Sequence, residues 1–177
     1  TPGSATAQLN ALSEVRVTGG NDPQMELKAV LSFPGVWFRG PVETFTAPVT
    51  SASKVVTMFP GISGKVTDAL VRFTDITDPK ATDSAGTFVK YTGTVAAGQF
   101  LRIDAVTGRA WLTSSDTWTG GTEVDQTLLS FGRGPGFFTI TPKFIDPETR
   151  TGSVTITSTA RGSGAAVDIQ GRSAYLV

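Results

Sequence analysis

Glycine and proline interrupt this chain from end to end, 20 of the one and 10 of the other in 177 residues, spread as punctuation with no low-complexity block. Each of them ends a regular element or turns the chain, so such spacing leaves room for short strands and little room for helices. Between the breaks the residues favour pleated backbone. Threonine occurs 27 times and valine 17 times, and β-branched side chains suit half-buried strand surfaces. The expectation is an all-β protein, a single β-sandwich with about ten to twelve short strands.

The length suits one domain, and 39% hydrophobic content is enough for a core without staples. The first dozen residues, small and polar without a clear period, read as an arm over 1–12 ahead of a sandwich over 13–177. Strand signals follow at SEVRVTG and at MELKAVLSF, where Leu27, Ala29 and Leu31 alternate. PGVWFRGP, residues 34–41, reads as a loop, followed by short strands at TFTAPV and KVVTMFPG. ALVRFTDI, residues 69–76, sets Leu70, Arg72 and Thr74 against Val71, Phe73 and Asp75. TDPKATDSAG reads as a loop, AAG at 96–98 as a turn, and AWL as a strand. The polar loop SSDTWTGGTEVD and the segment LLSF then lead to FFTITPKF. A closing hairpin is expected to turn at RGSG.

Several chemistries are excluded by composition. The chain has no cysteine and no histidine, which removes disulfides, thiolate nucleophiles, serine-histidine triads and histidine-bearing zinc sites. Fifteen basic and fifteen acidic residues cancel, and neither sign forms a block, which argues against nucleic acid as a partner and against an electrostatic membrane anchor. No segment approaches the ~20 apolar residues of a spanning helix, and TPGSATAQLN lacks the basic and apolar regions of a signal peptide. No cofactor and no bound metal are expected.

Four stretches carry candidate residues. In FLRIDAVTGRAWL, residues 100–112, an acid stands where two apolar runs meet. Asp104 there reads as the first residue of a hairpin turn, accepting backbone N–H groups, with Gly108 free to take positive φ. A lone carboxylate without a partner base is poor material for catalysis. Asp75, Asp78 and Asp83 read as one exposed acidic loop whose spacing does not match a calcium loop, so turn formation is the better reading. Gly132, Gly134 and Gly136, with Arg133 among them, feed a strand instead of a helix and so lack the geometry of a phosphate loop. Among the tryptophans, Trp111 reads as core. Trp118, with Asp116 beside it, and Trp37 are the candidates for an aromatic platform that stacks on a sugar ring.

The segments FPGISGKVTDALVRFT, GTVAAGQFLRIDAVTGRAWL, GPGFFTITP and SVTITSTARGSGAAVDIQGRSAYL follow one another in the second half of the chain. In this order, over roughly Met58 to Val177, they resemble the C-terminal domain of siphophage distal tail proteins and related minor tail proteins of actinobacterial phages. The resemblance implies a jelly-roll sandwich, galectin-like or galactose-binding-like. It implies a structural or host-contacting module of a virion tail, assembled in the host cytoplasm beside other tail proteins, with a host cell-surface glycan as a further partner. It transfers no catalytic residue, so the chain is not expected to be an enzyme. The family's ring-forming N-terminal domain is missing or reduced to residues 1–57, so hexamer formation is not carried over. The runner-up reading is a carbohydrate-binding module for host cell-wall glycans.

Overall fold

The computed structural model describes residues 8–12, 16–17, 25–26, 29–32, 38–132, 138–144 and 149–175, with side chains described from residue 38 onward. Before residue 38 there are two small antiparallel pairs. Strand β1 (Gln8–Leu12) pairs with β4 (Ala29–Ser32), and β2 (Arg16–Val17) pairs with β3 (Met25–Glu26). Part of the segment read as an arm is therefore a strand. The stretch MELKAVLSF, read as one strand, contributes two, β3 and β4, which pair with different partners.

The remaining strands form two antiparallel sheets. The first runs in the order β12 (Thr122–Glu123), β11 (Arg109–Thr113), β10 (Thr94–Asp104), β7 (Leu70–Thr77), β16 (Ala160–Tyr175) and β5 (Phe38–Pro48). The second runs from β13 (Leu129–Gly132) through β9 (Phe88–Tyr91) and β8 (Lys80–Asp83) to β15 (Arg150–Thr157). Val154 to Thr157 of β15 pair with β8 on one side and with β6 (Ser53–Met58) on the other, and β14 (Pro142–Phe144) pairs with its first residues. Side chains from both sheets merge into one buried cluster, so the architecture is the expected β-sandwich.

Alternation builds that cluster. In the first sheet Val167, Phe73 and Leu101 lie side by side, and the next inward row holds Ile169, Val71, Ile103 and Ala110. The second sheet answers with Val56, Met58, Ala81, Val89, Val154 and Ile156. Phe59, Ile62, Val66, Phe138 and Ile140 are likewise buried in it from the connecting segments. Full burial of each large apolar side chain contributes on the order of 1.5–3 kcal/mol.

Four local readings are corrected. KATD is strand β8 rather than loop, because Ala81 and Asp83 turn inward against β9 and β15. Segment 38–41 opens β5 instead of closing a loop; Pro41 is tolerated because β5 is an edge strand. AAG and RGSG do not reverse the chain. Residues 96–99 of β10 and 162–165 of β16 bulge out on the two sides of Asp75, while the hairpin between β15 and β16 turns at Ser158 and Thr159.

Both bulges lie opposite Asp75. Its φ of +52° breaks the alternation of β7, so Ile76 rather than Asp75 is buried. Its carboxylate turns toward β16 and accepts the Gly164 N–H at 2.8 Å. A Cβ on Gly162 would stand 2.0 Å from that carboxylate, so glycine is required there for close approach.

Phe73 is fully buried at the centre of the first sheet. Phe73→Ala is expected to cost about 3–5 kcal/mol, read as a lowered urea midpoint with an unchanged slope; a loss under about 1 kcal/mol would show that the two sheets do not close on this residue.

Candidate functional site

The strongest concentration of polar chemistry lies on the outer face of the first sheet. One residue from each strand falls in a single cross-strand row: Glu123, Trp111, Arg102, Arg72, Asp168 and Thr46. Arg72 is its centre and is 8% exposed. Its Nε and Nη2 donate to Asp168 Oδ2 at 3.0 and 2.8 Å, and Thr46 Oγ1 donates to Asp168 Oδ1 at 2.6 Å.

The loop between β11 and β12 folds over this row. Its Trp118 ring covers the Arg72 guanidinium at 4.6 Å, and Phe100 flanks the same group at 5.0 Å. Asp116 Oδ1 stands 2.5 Å from Arg72 Nη1. The alignment there lies outside hydrogen-bond geometry, so Nη1 is ion-paired without a hydrogen bond. Arg102 holds the loop from below: its Nη1 donates to the Trp118 carbonyl and its Nη2 to that of Gly120, while its guanidinium stacks 4.6 Å from Trp111. Cation–π contacts with a desolvated guanidinium add to the ion pairs.

Trp118 and Asp116, the two described members of the candidate sugar platform, are thus brought together, and both engage Arg72. A sugar ring at Trp118 would compete with that guanidinium for the indole. Trp37 lies outside the described residues. Trp111 is not core: Ala110 and Leu112 take the inward positions of β11, which leaves the indole on the outer face against Arg102.

Asp104 pairs with Arg109 across the end of the β10–β11 hairpin. Its Oδ1 accepts the N–H groups of Val106 and Thr107 at 2.7 and 3.3 Å, its carbonyl accepts that of Gly108, and Gly108 sits at φ +67°. The three aspartates read as one acidic loop are separated. Asp75 lies in β7, Asp78 in the turn after it, and Asp83 is buried in β8, accepting from the N–H groups of Ala85, Thr87 and Thr141. No group of three acids among the described residues is placed to hold a metal ion. Of the glycine-rich stretch, Gly132 ends β13, where a Cβ would strike the Phe88 ring; Arg133, Gly134 and Gly136 lie outside the described residues.

Every described carboxylate from Glu43 onward is engaged in the fold. Asp75, Asp78, Asp83, Asp104 and Asp125 hold backbone N–H groups. Asp68, Asp116, Glu123 and Asp168 face arginines, and Glu43 accepts from Ser173. The Gly93 N–H and the Thr159 hydroxyl hold Asp78 below the ordinary carboxylate range. Hydrogen bonding from Arg109 does the same to Glu123, and the Thr127 N–H to Asp125.

Sequence reasoning missed Arg72, Arg102 and Asp168. Their signal was a charge at an outward position in the middle of a strand; their meeting depends on strand order, since Arg72 and Asp168 are 96 residues apart. Compared with known proteins, the chain matches no family model, no curated protein and no solved structure.

Removing Asp168 leaves the buried Arg72 without its principal partner. Asp168→Ala is expected to lose about 3 kcal/mol in chemical denaturation, whereas Asp104→Ala should lose about 1 kcal/mol through its turn bonds. Equal losses would mean that burial does not set the cost.

The depressed carboxylates also set a pH dependence. Because their folded pKa values lie below the unfolded ones, their contribution is present above the ordinary range near pH ~4 and is lost as pH falls through the folded values. The melting temperature should be level above about pH 5 and fall below about pH 4, less steeply in Asp78→Asn. A melting temperature that rises on acidification would contradict this.

Proposed function

We propose that this chain is a non-catalytic structural module of a virion tail tip, a sandwich of jelly-roll type that contacts neighbouring tail proteins and the host surface. The observation that carries the reading is where the resembling segments fall. GTVAAGQFLRIDAVTGRAWL is the β10–β11 hairpin in the first sheet, FPGISGKVTDALVRFT leads from β6 into β7, and the final segment is the β15–β16 hairpin. Three of the four motifs thus occupy connected parts of one sandwich, as a shared domain requires.

The state of the carboxylates supports a role without catalysis. A general acid or base needs a carboxylate free to exchange a proton with substrate, and the described carboxylates from Glu43 onward are tied to backbone N–H groups, hydroxyls or guanidinium groups. Assembly contacts suit the sheet edges. Val42 on β5 and Val55 on β6 are 60% and 57% exposed on strands that pair on one side among the described residues, and unpaired strand edges are ready surfaces for a neighbouring subunit.

Antibodies raised against the purified chain, applied to phage particles from a lysate that contains it, should decorate the distal end of the tail in electron micrographs. Label on capsids, or on no particle while the chain stays free in the lysate, would overturn the assignment.

A further inference from the structure

The outer face of the second sheet differs in kind from that of the first. On the first sheet the two arginines that face each other in the central row, Arg72 and Arg102, are engaged by Asp168 and Asp116 and by the carbonyls of Trp118 and Gly120. On the second, Lys80 and Lys90 are direct cross-strand partners, both outward because Ala81 and Val89 turn into the core. Like charges placed opposite one another destabilise a sheet. No ion pair is made by Lys80, Lys90 or Lys143 among the described residues. Asp78 lines the same concavity as the pair; its carboxylate is held by Gly93 and Thr159 and feels the charge of Lys90.

Around the lysines the face is hydroxyl-rich. Lys80 and Lys90 share a row with Ser53, Thr157 and Ser130; the next outward row holds Val55, Thr155, Thr82 and Phe88. A concavity of about 360 Å³ is lined by Asp78, Lys80, Lys90, Thr157, Ser158 and Thr159. A second, of about 440 Å³, includes Val55, Phe144 and Lys143 beside Ser84, Ser153 and Thr155. Both open along the outward side chains of β15, from Thr157 to Ser153, roughly 13 Å of strand. Lys80 Nζ lies 4.0 Å above the Phe88 ring, so an aromatic surface adjoins the charge.

We propose that this face binds an anionic polysaccharide, its acidic groups seated between Lys80 and Lys90 and its sugar rings lying along Thr155, Thr82 and Phe88 toward Lys143. Three observations favour that ligand over other anions. Hydroxyls outnumber cations, which suits a chain of sugar hydroxyls with spaced charges. Arginine, the residue for bidentate phosphate recognition, is absent from these two rows. Apolar side chains are likewise few: Val55 and Phe88 are the large apolar members of the two rows and Phe144 flanks Lys143, without the contiguous apolar centre typical of a protein interface. The face lies on the sheet opposite Trp118 and Asp116, and the inference does not depend on the virion reading.

The test is titration of the full chain with polygalacturonate, dextran, poly-glutamate and a double-stranded DNA oligomer at low and physiological salt. Polygalacturonate should bind and weaken with salt, and the other three should bind at least about tenfold more weakly. The double variant Lys80→Gln/Lys90→Gln should lose about tenfold or more in polygalacturonate affinity while melting no lower than the parent, because a repulsion has been removed. Arg109→Gln, on the first sheet, should bind as the parent does. No polygalacturonate binding, or binding indifferent to the two lysines, overturns the proposal. Equal binding of poly-glutamate or DNA also overturns it, because the face would then read charge alone.

Discussion

The place of β16 between β5 and β7 is the constraint on which the sandwich depends. This strand is drawn from the end of the chain, yet it occupies the interior of the first sheet and joins Phe38–Pro48 to Leu70–Thr77. Without it β5 has no partner in that sheet, and the inward row of Val167 and Ile169 is missing from the core. The Arg72–Asp168 pair and the inward row of Val167 and Ile169 both match its register. A one-residue slip would turn Asp168 into the core and Val167 and Ile169 to water, and the guanidinium under Trp118 would lose its carboxylate. A buried ion pair is weak material for net stability but a strict condition on alignment. Closing strands this distant in sequence also makes the sheet slow to form, since loop entropy is lost before the contacts that offset it.

Much of the fold was legible because alternation, Gly and Pro are local signals. ALVRFTDI and FLRID–RAWL showed their inward faces directly, and Asp104 with Gly108 marked a turn. What could not be read locally came from pairing. Trp111 was placed in the core because an indole in a strand is usually buried; the parity set by Ala110 and Leu112 sends it outward. RGSG looked like a turn because it has two glycines, whereas their use is to let β16 pass the carboxylate of Asp75. No rule of composition announces an aspartate at positive φ inside a strand. KATD was too short and polar to stand out, and it becomes a strand because β9 and β15 flank it. The Arg72 cluster required the strand order itself.

These features divide the molecule's polar chemistry. Carboxylates serve turns, bulges and arginine pairs, and the loop bearing Trp118 seals the first sheet's outer face. Asp104, Asp116 and Trp118 are therefore occupied. On the second sheet the facing lysines make no ion pair among the described residues, and hydroxyls lie on both sides of them. A chain of zero net charge thus carries a locally cationic face on the sheet opposite Trp118 and Asp116.

The direct test of that division is nuclear magnetic resonance of the isotope-labelled full chain, following backbone amide shifts as polygalacturonate is added. The account predicts shifts concentrated at Lys80, Thr82, Lys90, Thr155 and Thr157, with those of Asp104, Asp116 and Trp118 unchanged. Shifts concentrated on the Trp118 loop, with the second sheet silent, would contradict it.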